Sequence, residues 1–106
     1  MSTMFVYVTT GDVEEARRIG RAAVEARLVA CANVIAGVDA IYWWHGEVAE
    51  TEEAVLIMKT MANRLNELVE LIGNLHSYEC PCIEAWPITD GHRPFLDWIA
   101  GEVTGA

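Results

Sequence analysis

The sequence predicts an α+β domain of the ferredoxin-like, split βαβ type, and three features carry that expectation. Strand-like and helix-like stretches alternate as β-α-β-β-α-β, with one further helix at the end. No linker, charge block or low-complexity stretch divides the 106 residues, so 1–106 is read as one domain. The two halves repeat weakly, each a strand, a helix and a strand. Right-handed crossovers then place both main helices on one face of an antiparallel sheet.

Each element has its own signal. Phe5 to Val8 is a short apolar strand that ends in the turn Thr9-Thr10-Gly11. Asp12 caps the following helix, and Glu15 three positions on makes a capping-box-like pair. The apolar stripe Val13, Ala16, Ile19, Ala23 and Leu28 carries that helix, with Glu14 and Glu15 near its positive end and Arg27 near its negative end. From Leu28 to Ala36 the pattern becomes an apolar strand. Gly37 allows a bulge, and strand character resumes from Ala40 to Trp44. Gly46 permits a turn, and the chain returns from Glu47 to Thr60, with Glu47, Glu50, Glu52 and Glu53 read as an exposed acidic stretch. Thr60 is expected to cap a second helix, because Met61, Leu65, Leu68, Ile72 and Leu75 recur at helical spacing. A turn at His76-Ser77-Tyr78 leads to a fourth strand, Cys82 to Ile88. Pro94 suits the first turn of a last helix whose Phe95, Trp98 and Ile99 are expected on one face.

Composition narrows the function. Apolar residues make up 53% of the chain, too many for disorder, yet no apolar run approaches the roughly 20 residues of a membrane span. The first residues carry no basic charge, unlike a signal peptide. Sixteen acidic residues against seven basic ones give a net charge of −9, which repels phosphate backbones and suits cations. Nucleic acid and membrane are therefore not expected partners. Three cysteines are an odd number and too few for a disulfide scaffold, which points to a reducing cytoplasm.

A sheet covered by helices on one side should alternate apolar and polar residues. These strands are apolar on both faces, which leaves one face bare. Covering about 600 Å² there is worth about 15 kcal/mol before association costs, at ~25 cal/mol per Å². Self-association is the simplest cover; the competing expectation is that the last helix folds back under the sheet.

Several residues can carry chemistry. Cys31 is either a small buried hydrophobe or a soft ligand for copper. In Cys80-Pro81-Cys82 an extended backbone points both sulfurs to one side, with Glu84 next in line, so one soft ion could be gripped; a closed zinc site would need further ligands, from a second copy. Thiol redox chemistry lacks the basic surroundings it needs. His76 ends the second helix, where an imidazolium suits the dipole; His45 and His92 are read as exposed turn residues. Trp43 and Trp44 point to opposite faces of the hairpin, so one can bury while the other meets a partner. Lys59, the only lysine, is expected to pair with a carboxylate, or else to meet an anionic ligand in a cleft between subunits. No phosphate-binding loop, triad spacing or H-E-x-x-H pattern occurs.

Cys31-Ala32-Asn33, Tyr42-Trp43-Trp44 with Gly46, Lys59-Thr60, Leu75-His76 with Tyr78 and Pro81, and Phe95-Leu96 with Trp98 together resemble the CutA family of divalent-cation tolerance proteins. The resemblance runs from about Val6 to Trp98. It implies a homotrimer similar in architecture to the P-II signalling proteins, and a non-enzymatic protein that binds copper or other divalent ions. It strengthens Cys31 and His76, beside Cys80 and Cys82, as metal candidates, and Tyr42, Trp43 and Trp44 as interface residues. A P-II-like regulatory module, with a small ligand in intersubunit clefts near Lys59 and a protein partner on the hairpins, is the alternative. Ser77 and Gly11 stand where the family often has proline, and Ser77 implies a looser turn around His76.

Overall fold

Alternation in β1, Thr3–Thr10, sets the architecture: Met4, Val6, Val8 and Thr10 are buried, while the residues between them are only half-covered. The computed structural model describes residues 2–105. After β1 come α1 (Val13–Glu25), β2 (Cys31–Trp44), β3 (Glu47–Met61), a single 3-10 turn (Ala62–Arg64), α2 (Leu65–Leu75), β4 (Ile83–Pro87) and α3 (Arg93–Glu102). The sheet order is β2-β3-β1-β4, antiparallel at every pairing. This is the expected split βαβ arrangement.

Both main helices lie on one face. Ile19 and Ala23 of α1 and Leu68 and Ile72 of α2 pack with Val6, Val8, Leu56 and Met58 from the sheet. Gly20 lets α1 approach closely: a Cβ there would lie 3.0 Å from Leu56 Cδ1 and 3.1 Å from the Cβ of Ala32. The cap of α1 forms as expected, with the Glu15 N–H donating to Asp12 Oδ1 at 2.8 Å. Its return bond goes one residue further back, from the Gly11 N–H to Glu15 Oε1 at 3.0 Å.

Thr60 does not cap the second helix. It lies within β3, fully buried, where its hydroxyl donates to the Leu28 carbonyl at 2.5 Å. The strand continues to Met61 because that side chain has a core of its own, shared with Leu96, Ile99 and Val103 of the last helix and its C-cap. This spacing of three and four buries Leu96 with Ile99. Phe95 and Trp98, expected on one face with Ile99, part from it: Ile99 is buried, while they stack on each other at 5.6 Å and stay exposed.

The second face of the sheet remains largely open. Across it run the rows Cys31–Lys59–Phe5–Trp86 and Asn33–Ile57–Tyr7–Glu84. Trp86 covers part of the surface by stacking on Phe5 at 4.9 Å. The cluster of α3 with Met61, Ala30 and Ile88 closes only the end where β1 begins. Hence α3 does not supply the cover for the whole face.

β2 and β3 continue past the sheet as a two-stranded arm. One extra residue in β2 makes a bulge between Ile35 and Val38, where Gly37 takes φ +74°. The arm turns at His45 (φ 50°) and Gly46 (φ 79°), both left-handed. The long axis reaches 44 Å, and the 14.2 Å radius of gyration exceeds the about 13 Å of a compact chain this long. Neither tryptophan of the arm is buried: Trp43 is 74% and Trp44 42% exposed. A free two-stranded arm has no third layer against which to bury either ring.

Candidate functional site

The turn after α2 is the best-anchored part of the site. His76 ends the helix by donating its N–H to the Ile72 carbonyl at 2.9 Å. Its imidazole is completely buried. Nε2 meets the Thr9 carbonyl at 2.7 Å, so Nε2 carries the hydrogen. Nδ1 accepts the Tyr78 N–H at 3.1 Å. Both ring nitrogens are therefore engaged, and ligation of an ion would require giving one of them up.

Glu15 holds the same turn from the other side. Its Oε2 accepts the Ser77 N–H at 2.7 Å and lies 3.7 Å from His76 Nδ1. Burial alone would raise the Glu15 pKa. The hydrogen bonds from Ser77 and Gly11, aided by His76, outweigh it and hold the carboxyl below its ordinary value. Proline at position 77 could not donate this bond, so Ser77 does not loosen the turn; the backbone amide ties it to α1.

Tyr78 completes the anchor. Its hydroxyl donates to Glu53 Oε2 at 2.5 Å. Burial first, and the Glu53 carboxylate second, push its pKa up. Glu53 was expected on an exposed acidic stretch, yet it is only 7% exposed. It stands on β3 opposite Val38 at the bulge, on the face shared with Val55 and Ile57. That two-residue alternation was the signal in the sequence; the surrounding glutamates masked it. Glu15, Thr9 and Tyr78 are further site residues that spacing alone did not single out for these roles.

Between the arm and the anchored segment lies a groove of about 790 Å³. Tyr7 and Thr9 belong to its lining, with residues 38–44 of the arm and 77–80 and 82 of the segment. Among the described residues, Asp39, Glu53 and Glu79 are its carboxylates, and no lysine, arginine or histidine borders it. Cys80 and Cys82 line it, as do Tyr42, Trp43 and Trp44. Burial, followed by the Glu84 charge, raises the Cys82 thiol pKa against the partial relief of hydrogen bonds to Thr9.

The structure thus divides the four metal candidates. Cys80 and Cys82 share the groove, His76 sits behind it with its ring nitrogens engaged, and Cys31 lies away on the open face beside Lys59. Among the described residues Lys59 pairs with no carboxylate. Its Nζ donates to Asn33 Oδ1 at 3.0 Å and stands 5.8 Å over the Phe5 ring, outside the groove. Its own row offers a thiol and a ring, and the next row an amide, so the ammonium finds Asn33 rather than an acid. Among the described residues no group of three or more histidines, cysteines and carboxylates is arranged to hold an ion. Two thiols flanking one proline suit a soft ion that accepts few ligands, and fall short of a closed four-ligand zinc site.

A ferredoxin-like sheet bare on one face, extended by an arm and bearing an acidic thiol-lined groove, defines the structural class. A sequence profile described as CutA1 divalent ion tolerance protein matches residues 4–102, and the chain belongs to that family. It is similar to the divalent-cation tolerance protein CutA of Thermus thermophilus, with 44% identity over 94 residues that cover 89% of this chain and 91% of the relative. Among solved structures, CutA1 from Oryza sativa superposes with TM-score 0.96 at 31% identity, covering 100% of this chain and 97% of that one. The Archaeoglobus fulgidus protein, described as a periplasmic divalent cation tolerance protein, gives 0.92 at 37% identity, over 95% and 98% of the two chains. The family is described by tolerance to ions and not by a reaction. Among the described residues, no helix is long and apolar enough to cross a membrane.

Proposed function

We propose that this chain is a non-enzymatic homotrimer of the cytoplasm that captures copper or another divalent metal ion and acts in the response to metal. The observation that carries the reading is the pair Cys80 and Cys82, both exposed and free of disulfides, on the wall of a groove whose charged groups are all carboxylates. Thiolates select soft ions such as Cu(I), and the acidic wall favours any cation. His76 serves this site as the clamp that positions the segment, while Cys31 is a reserve thiol on the open face. Free thiols suit a reducing compartment. Trimerisation is supported by the open face, whose Phe5, Tyr7, Ile57 and Trp86 find cover in sister copies, with Tyr42, Trp43 and Trp44 reaching across from the arm.

The test is titration of the metal-free protein with Cu(I), read by native mass spectrometry for subunits and ions together. Three chains with about one copper per chain are expected, as a two-thiolate site implies. Replacing Cys80 and Cys82 by serine should abolish copper uptake, and Cys31→Ser should leave it. A monomer at micromolar concentration refutes the trimer, and undiminished uptake by the double serine variant refutes the site.

A further inference from the structure

We infer that a second groove, between α1 and the free edge of β2, receives an extended acidic segment of a partner protein, added to the sheet as an extra strand. The backbone supplies the first observation. β2 ends the sheet in the order β2-β3-β1-β4, so one side of it has no neighbouring strand among the described residues. The N–H and C=O groups on that side are a template for another extended chain. α1 lies close beside it, because Gly20 has no Cβ to press on Ala32. The groove between them measures about 650 Å³, with Ala32 and Val34 half-buried on its strand wall.

Charge is the second observation. The chain carries 16 acidic residues against 7 basic ones, yet this groove is lined by Arg17, Arg18 and Arg21 against Glu14 and Glu25. Arg18 is committed elsewhere, donating to the Leu75 carbonyl at 3.2 Å. Arg17 has no hydrogen bond or ion pair among the described residues, and Arg21 meets only Glu25, at 3.3 Å in a pair exposed at both ends. A pair so open to water is held weakly and exchanges readily for another carboxylate.

Spacing is the third. Arg17 and Arg21 stand about one turn apart, about 6 Å along α1. Alternate residues of an extended strand lie about 6.7 Å apart on one face. Two carboxylates separated by one residue therefore meet the two guanidinium groups together, and each guanidinium can take its carboxylate through two parallel N–H···O bonds. Glu14, at the far end of the same helical ridge, repels a third acid, so the fitting segment is acid–any–acid and not a polyacidic run. This groove shares no lining residue with the thiol-lined one, so the inference does not rest on metal capture or on the arm.

The test is fluorescence anisotropy of the full chain with a dye-labelled heptapeptide of valine and threonine carrying glutamate at its third and fifth positions. Saturable binding is expected. It should weaken about tenfold or more when both glutamates become glutamine, and equally in the Arg17→Gln/Arg21→Gln chain, checked for native circular dichroism. Arg17→Gln alone should give a smaller loss in the same direction, and Arg93→Gln, outside the groove, should give none. Methylating the three central amide nitrogens of the peptide should also cost about tenfold, because strand addition needs the backbone donors. Inorganic phosphate at the peptide's concentration should not displace it. Equal binding of the glutamine or the N-methylated peptide, displacement by phosphate, or indifference to the arginine variants overturns the inference. So does an absence of saturation, the outcome expected where a sister strand occupies the edge.

Discussion

Removing the Tyr78 hydroxyl tests the anchor of the site most directly. Tyr78→Phe keeps the ring beside His76, 4.8 Å between centroids, and keeps the backbone N–H that His76 accepts. It deletes only the bond to Glu53. A hydrogen bond to a charged acceptor contributes about 1.5–3 kcal/mol, and leaving the acceptor buried and unpaired adds to the loss. Glu53 borders the groove, so water can reach the freed oxygen, which places the expected loss near the lower end, about 1.5–2 kcal/mol. For a domain of this size that is a fall in Tm of roughly 6–10 °C. The assay is denaturant and thermal unfolding at one fixed protomer concentration, because association would otherwise move the midpoint. A cycle with Glu53→Gln isolates the pair, with an expected coupling of about 1 kcal/mol or more. Additivity of the two substitutions within about 0.5 kcal/mol would refute the claim that this bond anchors the segment.

Gly20→Ala sets two effects against each other. Alanine improves helix propensity by about 1 kcal/mol, but its Cβ would press on Leu56 and on the immobile Cβ of Ala32, so a net loss of about 1–2 kcal/mol is expected in urea unfolding; a stabilised protein would show that α1 can lift from the sheet at no cost. Glu15 gives the acid response. Its folded pKa lies below the ordinary 4.5, so its contribution is full above that value and is lost as pH falls through the lower folded value. The stability gap between the native chain and Glu15→Gln should therefore hold steady above 4.5 and shrink as pH falls below it through the lowered folded value, and a constant gap would mean that the Glu15 charge does not hold the turn.

Much of the architecture could be read in the residues, for identifiable reasons. The helical period from Leu65 to Leu75, the Asp12 cap and the two-sided apolar strands depend on neighbours close in sequence, where spacing is informative. What escaped depends on distant neighbours. Thr60 resembles a helix cap locally, and only the presence of the Leu28 carbonyl 32 residues away makes it a strand residue. Glu53 resembles its solvated neighbours until Tyr78, 25 residues on, meets it. His76 was legible as a helix end but not as a link to Thr9, 67 residues earlier. Cys80 and Cys82 both line the groove, but Cys80 lies in a bend and β4 begins only at Ile83, one residue later than the expected strand, because Pro81 interrupts the extended run. Cys31 was grouped with them by chemical type, which says nothing about distance.

The extra residue at Gly37 governs which side chains the arm presents. Before it, Cys31, Asn33 and Ile35 stand opposite Lys59, Ile57 and Val55; beyond it, Val38, Ala40, Tyr42 and Trp44 stand opposite Glu53, Thr51, Ala49 and Glu47. An unbroken strand would have continued the first row with odd-numbered residues, turning Ile41 and Trp43 to that side. The insertion works as a phase shifter for the pleat. It brings the phenol of Tyr42 and the indole of Trp44 round to the face that carries Glu53, and it leaves the more exposed Ile41 and Trp43 on the opposite pleat. One inserted position thus hands a row begun by odd-numbered residues to even-numbered ones, while β3 runs on in step beside both.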